Sequence, residues 1–113
     1  MGTTAAEIKK RAEELRGQIT ADRRHLHQIP EIGMDLPGTA DYIRRRLDEM
    51  GIPWKNCGGD LPEKVTKDFV EAGFPRMERA VGITAVIGHG SPCILLRADM
   101  DALPIREDND LDF

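Results

Sequence analysis

The sequence predicts an α/β domain, and three observations support that fold class. Apolar residues recur at helical spacing along two segments, about 4–27 and 39–50. Two β-rich runs, 82–88 and 93–98, are separated by a turn-forming stretch of glycine, serine and proline. The first four residues of the second run are apolar without alternation, which is typical of a strand covered by helices on both faces.

The first helix is predicted from about Thr4 to His27. Thr4 and Glu7 have the spacing of a capping box, in which each side chain accepts a hydrogen bond from the other's backbone N–H. Pro30 ends the helix, because proline lacks the N–H that a helix interior needs. The loop after Pro30 is unusually apolar, so we expect it to pack against the rest of the domain.

The second helix is predicted from Thr39, as its N-cap, to Met50, with Gly51 just beyond its end. A short strand is predicted at 52–55, and Pro53 favours either an edge position or the start of the strand, because proline cannot donate to a central ladder. We expect the run Cys57-Gly58-Gly59 to break this strand.

A third, short helix is predicted from Pro62 to Ala72, because apolar side chains keep helical spacing there and Gly73 follows its end. The two β-rich runs, 82–88 and 93–98, are then expected to form a hairpin or a tight antiparallel pair around the turn at 88–92.

Composition narrows the class of protein. A chain of 113 residues builds at most one domain, and 40% hydrophobic with 32% charged residues is typical of a globular protein. The net charge of −4 gives no reason to expect nucleic acid, and we interpret the cluster 44–46 of three arginines as a solvated helix face. No window is apolar enough for a membrane span. The two cysteines lack zinc-ligand spacing, and two free thiols favour a cytoplasmic location.

An acid pair is the clearest candidate for chemistry. Asp99 and Asp101 follow the second β-rich run, and they share one face if extended geometry continues. Paired carboxylates suit metal or proton chemistry, although such acids also simply accept backbone N–H bonds in a turn. His25 and His27 are about 200° apart on a helix, so they cannot share a metal, but one of them could still reach a site.

Three ordered segments between about residues 23 and 107 resemble the N-terminal part of M20-type metallopeptidases. The closest branch is the amidohydrolases that cleave N-acyl amino acids, including the auxin-conjugate and hippurate hydrolases. The segments are Arg24-His25-Leu26-His27-Gln28-Ile29-Pro30-Glu31-Ile32-Gly33, then Gly82-Ile83-Thr84-Ala85-Val86-Ile87-Gly88, then Leu96-Arg97-Ala98-Asp99-Met100-Asp101-Ala102-Leu103-Pro104-Ile105. The stretch Asp60 to Ala80 fits less well and resembles an insertion.

The resemblance implies a partial three-layer α/β/α catalytic domain, comprising helices and the first strands of a mixed sheet. It also implies a hydrolase with two divalent metal ions, zinc or manganese, and a glutamate as general base. Asp101 matches the aspartate that orients a metal-binding histidine, so it is the candidate catalytic residue. Asp99 stands where the wider family has that histidine, and Asp99 and His27 are possible site-lining residues.

In the amidohydrolase branch a later Cys-Gly-His-Asp segment supplies metal ligands, and a Glu-Glu pair carries the general base. Neither of these two motifs occurs in these 113 residues. We therefore expect residues 1–113 to be the N-terminal part of the catalytic domain, without the dimerisation domain, and to be inactive and metal-free alone. The complete enzyme is expected to bind two metal ions, to cleave N-acyl amino acids or small peptides and to form a homo-oligomer, with no nucleic-acid or membrane partner. Two alternatives stay open: an inactive structural or interaction fragment, and a metal-binding module built on Asp99, Asp101 and His27.

Overall fold

A computed structural model describes residues 2–113 of the chain. Their helices and strands follow the order α1 (Ala5–His27), α2 (Pro37–Glu49), β1 (Trp54–Asp60), α3 (Glu63–Glu71) and β2 (Arg79–Ala85). The strands form a two-stranded sheet, so the predicted α/β class is confirmed as a partial α/β domain. No helix within residues 2–113 combines the length and the apolar character that crossing a membrane requires.

The chain divides into two compact units. The first comprises α1 and the C-terminal residues Asn109–Phe113, and the second comprises Pro30–Asp108.

The first helix begins with the predicted capping box. The N–H of Thr4 donates to Glu7 Oε2 at 2.7 Å, and the N–H of Glu7 donates to Thr4 Oγ1 at 3.3 Å. α1 then runs to His27, so the predicted extent of the first helix is confirmed.

The second helix begins earlier than the sequence predicted. Thr39 is not its N-cap, because α2 starts at Pro37, which occupies the first helical position. The N–H groups of Gly38 and Thr39 donate to the carboxylate of Glu31, at 3.1 and 2.6 Å. A side chain from the preceding loop thus satisfies the donors that the helix leaves unpaired in its first turn.

The first strand is longer than predicted, and the expected break at its glycines is wrong. β1 pairs with β2 in antiparallel register along its whole length, from Trp54 opposite Ala85 to Asp60 opposite Arg79. Gly58 allows this continuity, because its φ is +99° and a Cβ there would lie 2.3 Å from the carbonyl oxygen of Ala80. The glycine lets the two backbones approach where a side chain would separate them.

The third helix lies where the sequence placed it. α3 follows Pro62 and is followed by Gly73, which has a φ of +89°. The buried hydroxyl of Thr66 donates to the carbonyl oxygen of Met77 at 2.9 Å. α3 and the first residues of β2 account for most of the stretch that resembled an insertion, which is therefore a structured part of the second unit.

The core of the second unit is small and centres on Met77, which is 3% exposed and is buried with Leu36 and Ala40. The N–H of Met34 points at the Met77 sulfur at 3.1 Å, and a Cβ on Gly33 would lie 2.3 Å from that sulfur. The N–H of Val81 donates to the carbonyl oxygen of Met34 at 2.8 Å. The apolar loop after Pro30 therefore packs against the sheet, as expected.

The predicted hairpin is wrong. β2 spans Arg79–Ala85, its partner is β1, and residues 86–113 contain no helix or strand. Leu95 and Leu96 are each 90% exposed. A buried strand needs neighbours in the sheet and covering layers on its faces. No helix or strand of residues 2–113 covers this apolar run, so it stays irregular.

Candidate functional site

The acid pair borders a cleft in the second unit. Asp99 and Asp101 lie on the irregular segment that follows β2, and both line a cleft of about 440 Å³. The rest of the lining is mostly apolar and includes Gly33, Met34, Leu36, Phe69 and Phe74. We call this space the acid cleft.

Glu31 anchors the segment that carries the acids. Its carbonyl oxygen accepts the N–H of Ala102, the residue after Asp101, at 2.7 Å. Its carboxylate accepts the N–H groups at the start of α2. One residue of the loop therefore connects the start of a helix to the backbone beside Asp101.

The charge of Glu31 is stabilised by these contacts. Partial burial raises the pKa of its carboxyl group, but hydrogen bonds from Thr39 and Gly38 outweigh that effect, and the net pKa lies below the ordinary value. Glu31 therefore stays ionised as the pH falls somewhat below the usual range for a glutamate.

The two aspartates differ in their partners. Asp99 forms an ion pair with Arg97, with 2.7 Å between Oδ1 and Nη2, and its side chain is 65% exposed. Such an exposed pair adds little to stability. The Asp101 carboxylate is exposed and makes no hydrogen bond or ion pair with any of residues 2–113. Asp101 is therefore the acid whose oxygens are both available to another group.

His27 lies in the first unit, at the C-terminal end of α1. Its ring packs edge-on against the ring of Phe113, with 6.3 Å between centroids and an interplanar angle of 65°. The guanidinium of Arg24 lies 4.3 Å from the centre of the same Phe113 ring. These contacts give His27 a packing role in its unit, and its site-lining role stays a prediction.

The ionisable residues do not form a metal centre. Within residues 2–113, no group of three or more histidine, cysteine, aspartate or glutamate side chains could hold a metal ion. A catalytic zinc takes about three protein ligands, whereas the acid cleft offers two aspartates, one of them engaged by Arg97. The residues present therefore do not fit a metal pair.

The sequence patterns predict no role for Glu31 or Arg97 in the site. A signal for Glu31 was available: Pro37 suits the first position of a helix, yet Leu36 before it offers no side-chain acceptor. Any side-chain acceptor for the first turn is therefore to be sought in another part of the chain. The pairing of Arg97 with Asp99 had no comparable signal, because it depends on the irregular course of the segment.

The chain is similar to proteins named as uncharacterized hydrolases. It is 36% identical over 96 residues to one from Staphylococcus epidermidis, 37% identical over 95 residues to one from Staphylococcus aureus, and 34% identical over 95 residues to one from Staphylococcus haemolyticus. Each alignment covers 84% of this chain and 20% of the relative, so the chain spans about a fifth of the length of these curated relatives. No family model matches the chain, and neither does any solved structure. The similarity supports a hydrolase family in general terms.

Proposed function

We propose that this chain is the N-terminal part of a metal-dependent amidohydrolase that cleaves the amide bond of N-acyl amino acids or small peptides. The observation that carries the proposal is the similarity to proteins named hydrolases over 84% of the chain. The motif around Asp99 and Asp101 resembles that of M20-type enzymes, and this resemblance supports the more specific proposal of metal-dependent amide hydrolysis.

Asp101 is the proposed catalytic residue of the complete enzyme. Its unengaged carboxylate can accept a hydrogen bond and so orient a neighbouring group, which is how carboxylates act on metal-binding histidines. Asp99 is held by Arg97 and is proposed to line the site, as is His27. The complete enzyme is proposed to bind two zinc or manganese ions through ligands outside this chain.

Further proposals concern the substrate, oligomeric state, location and partners of the complete enzyme. Its substrate is proposed to be a small molecule, and it is proposed to work as a homo-oligomer in the cytoplasm, without nucleic-acid or membrane partners. The free thiols of Cys57 and Cys93 support a reducing compartment.

The test is hydrolysis by the complete protein. Release of the free amino acid from N-acetyl and N-benzoyl amino acids is measured with and without a chelator, and activity is then restored with zinc or manganese. The expected result is metal-dependent hydrolysis. Absence of hydrolysis on these substrates, or hydrolysis that a chelator leaves unchanged, would contradict the proposed reaction class.

A second candidate function is a structural or interaction fragment without catalytic activity. The observation that favours it is the exposed apolar run at residues 94–96, together with the lack of a metal-ligand cluster within residues 2–113. Association of the 113-residue chain without hydrolysis by the complete protein would favour this candidate.

A further inference from the structure

The apolar face of α1 is uncovered within residues 2–113. No residue of this helix is buried. Ile8 is 59% exposed, Leu15 is 41% exposed and Ile19 is 58% exposed. A helix in a protein takes most of its stability from packing such a face against another element. The face is therefore a candidate interaction surface.

The apolar residues of this face have the spacing of a coiled-coil seam. They recur at alternating intervals of three and four residues, which is the heptad pattern of positions a and d. We call this stripe the α1 seam, and it comprises Ala5, Ile8, Ala12, Leu15 and Ile19. Asp22 takes the next position of the pattern and ends the seam, which is about 20 Å long. A stripe this narrow fits one facing helix.

Both edges of the α1 seam carry positive charge. In a heptad the positions that border the seam are e and g, and their charges select the partner. Lys9 and Arg16 occupy these positions on one edge, and Arg11 and the neutral Gln18 occupy them on the other. The side chains of Arg11 and Arg16 are 71% and 79% exposed. No acidic residue occupies an e or g position along the seam.

The acids of α1 lie farther from the seam and leave its edges basic. Glu14 contacts Arg11 at 2.8 Å and Glu13 contacts Arg16 at 3.6 Å, but such exposed pairs are weak. Lys9 makes no hydrogen bond or ion pair within residues 2–113. The three positive charges are therefore available to carboxylates of a partner.

The charge pattern selects among the possible occupants of the α1 seam. A second copy of α1 is a poor match, because its own basic edges would face basic edges. A membrane surface is also a poor match, because interfacial helices present a broad face with large apolar side chains, whereas this seam is narrow and includes Ala5 and Ala12. A helix whose apolar seam is bordered by aspartate or glutamate complements both edges.

The length of the seam favours a partner in the same polypeptide. About two heptads of contact hold a separate chain weakly, whereas a helix joined through the same polypeptide acts at a millimolar effective concentration. The chain spans about a fifth of the length of its curated relatives, so a protein of their length has ample sequence to supply such a helix.

We propose that α1 docks onto an amphipathic helix with acidic edges, located in the part of the complete protein that lies outside these 113 residues. The apolar side chains of the two helices interdigitate along the α1 seam, and carboxylates of the partner helix face Lys9, Arg11 and Arg16. The inference rests on the proposal that the chain is part of a longer protein, but it does not depend on hydrolysis.

The first experiment supplies the partner helix as a peptide. Two fluorescent peptides of about three heptads share one apolar seam, with glutamate at every e and g position in one and lysine in the other. Fluorescence anisotropy measures their binding to the 113-residue chain. The acidic-edged peptide is expected to bind about tenfold more tightly or better, and less so at high salt, although the net charge of −4 alone would favour the basic peptide. Equal binding of the two peptides would overturn the proposal.

A matched pair of variants locates the contact. Lys9→Glu and Lys10→Glu change the net charge equally, but Lys9 borders the seam whereas Lys10 lies on the opposite side of the helix. Lys9→Glu is expected to bind the acidic-edged peptide about threefold more weakly than Lys10→Glu, or worse. Leu15→Asn is expected to weaken binding about tenfold, and it tests the proposal even if Lys9→Glu alters the fold. Equal binding by the two lysine variants, or unchanged binding by Leu15→Asn, would overturn the proposal.

The complete protein tests where the partner helix lies. Its own acidic-edged helix is expected to cover α1, so the peptide binds the complete protein at least about tenfold more weakly than the 113-residue chain. The backbone amides of α1 are also expected to exchange hydrogen more slowly in the complete protein. Equally tight peptide binding by both would assign the partner to another protein and overturn the proposal. Tighter binding of the 113-residue chain to phosphatidylserine vesicles than to the peptide would overturn it in favour of a membrane surface. None of these measurements requires hydrolysis, so they separate this inference from the proposed reaction.

Discussion

The carboxylate of Glu31 accepts the backbone N–H of Thr39 at 2.6 Å, so a loop side chain eight residues upstream completes the first turn of α2. The same carboxylate accepts the N–H of Gly38 at 3.1 Å. The backbone of Glu31 also accepts the N–H of Ala102, beside the candidate catalytic Asp101. The start of α2 and the acid segment therefore depend on one residue.

Replacing Glu31 is expected to destabilise the second unit. Glu31→Ala leaves two N–H groups at the start of α2 without their acceptor, and loss of a capping group costs about 1 to 2 kcal/mol of unfolding free energy. Glu78→Ala is the matched control, because it removes an exposed glutamate whose contact is a surface ion pair with Arg76. The measurement is urea unfolding followed by Trp54 fluorescence. Equal midpoints for the two variants would show that the cap contributes nothing.

The Glu31 contacts also predict a pH dependence of stability. Because the pKa of Glu31 is lowered in the folded chain, its contribution is fully present above the ordinary value of 4.5 and is lost as the pH falls through the folded pKa. Glu31→Gln is expected to show a smaller loss of stability below pH 4.5 than the unmodified chain. Urea unfolding across this pH range measures the difference, and parallel curves for the two proteins would contradict the assignment.

In the complete enzyme, Asp101→Ala is expected to lower activity far more than Asp99→Ala. Partners that orient metal ligands typically matter about 10- to 100-fold, and the carboxylate of Asp101 is unengaged whereas that of Asp99 pairs with Arg97. Turnover of an N-acyl amino acid is measured at saturating metal. Comparable turnover in the Asp101→Ala and unmodified enzymes would refute the role given to Asp101.

The isolated 113-residue chain is expected to show no amidase activity and to bind no stoichiometric zinc or manganese. The two aspartates of the acid cleft fall short of the three or so protein ligands that a catalytic zinc takes. Metal analysis after dialysis and an assay with N-benzoyl amino acids check this expectation. Hydrolysis above the blank that a chelator abolishes would show it to be wrong.

The exposed apolar run at residues 94–96 is expected to make the isolated chain associate. Ile94 is 85% exposed and its two neighbours are 90% exposed, so burial against a second copy offers apolar area that could offset the entropy of association. Leu95→Lys is expected to shift the chain towards monomer. Sedimentation equilibrium measures this, and a single species of 12.6 kDa for the unmodified chain would exclude self-association.

The acid cleft was only partly predictable. Asp99 and Asp101 were identified from their spacing after an apolar run, and they do border one cleft. The sequence predicts that a strand delivers them, whereas the segment is irregular and is anchored through Ala102 to Glu31. That anchor joins residues about 70 positions apart, and no local pattern contains it.

The sequence by itself determined the helices whose signals are local. The Thr4 and Glu7 capping box begins α1, and Pro62 and Gly73 bracket α3, because these effects act within one or two turns of the chain. Periodic apolar side chains then favour a helix before any distant contact is made.

Only the tertiary structure decided the elements that depend on distant partners. α2 begins at Pro37 because the Glu31 carboxylate reaches its first turn, and β1 continues through Gly58 because Ala80 lies opposite. The run at 93–98 lacks such partners within residues 2–113 and stays irregular despite its β-rich composition. The physical reason is that a strand gains its hydrogen bonds and most of its burial from other segments, so its own residues cannot specify whether it forms.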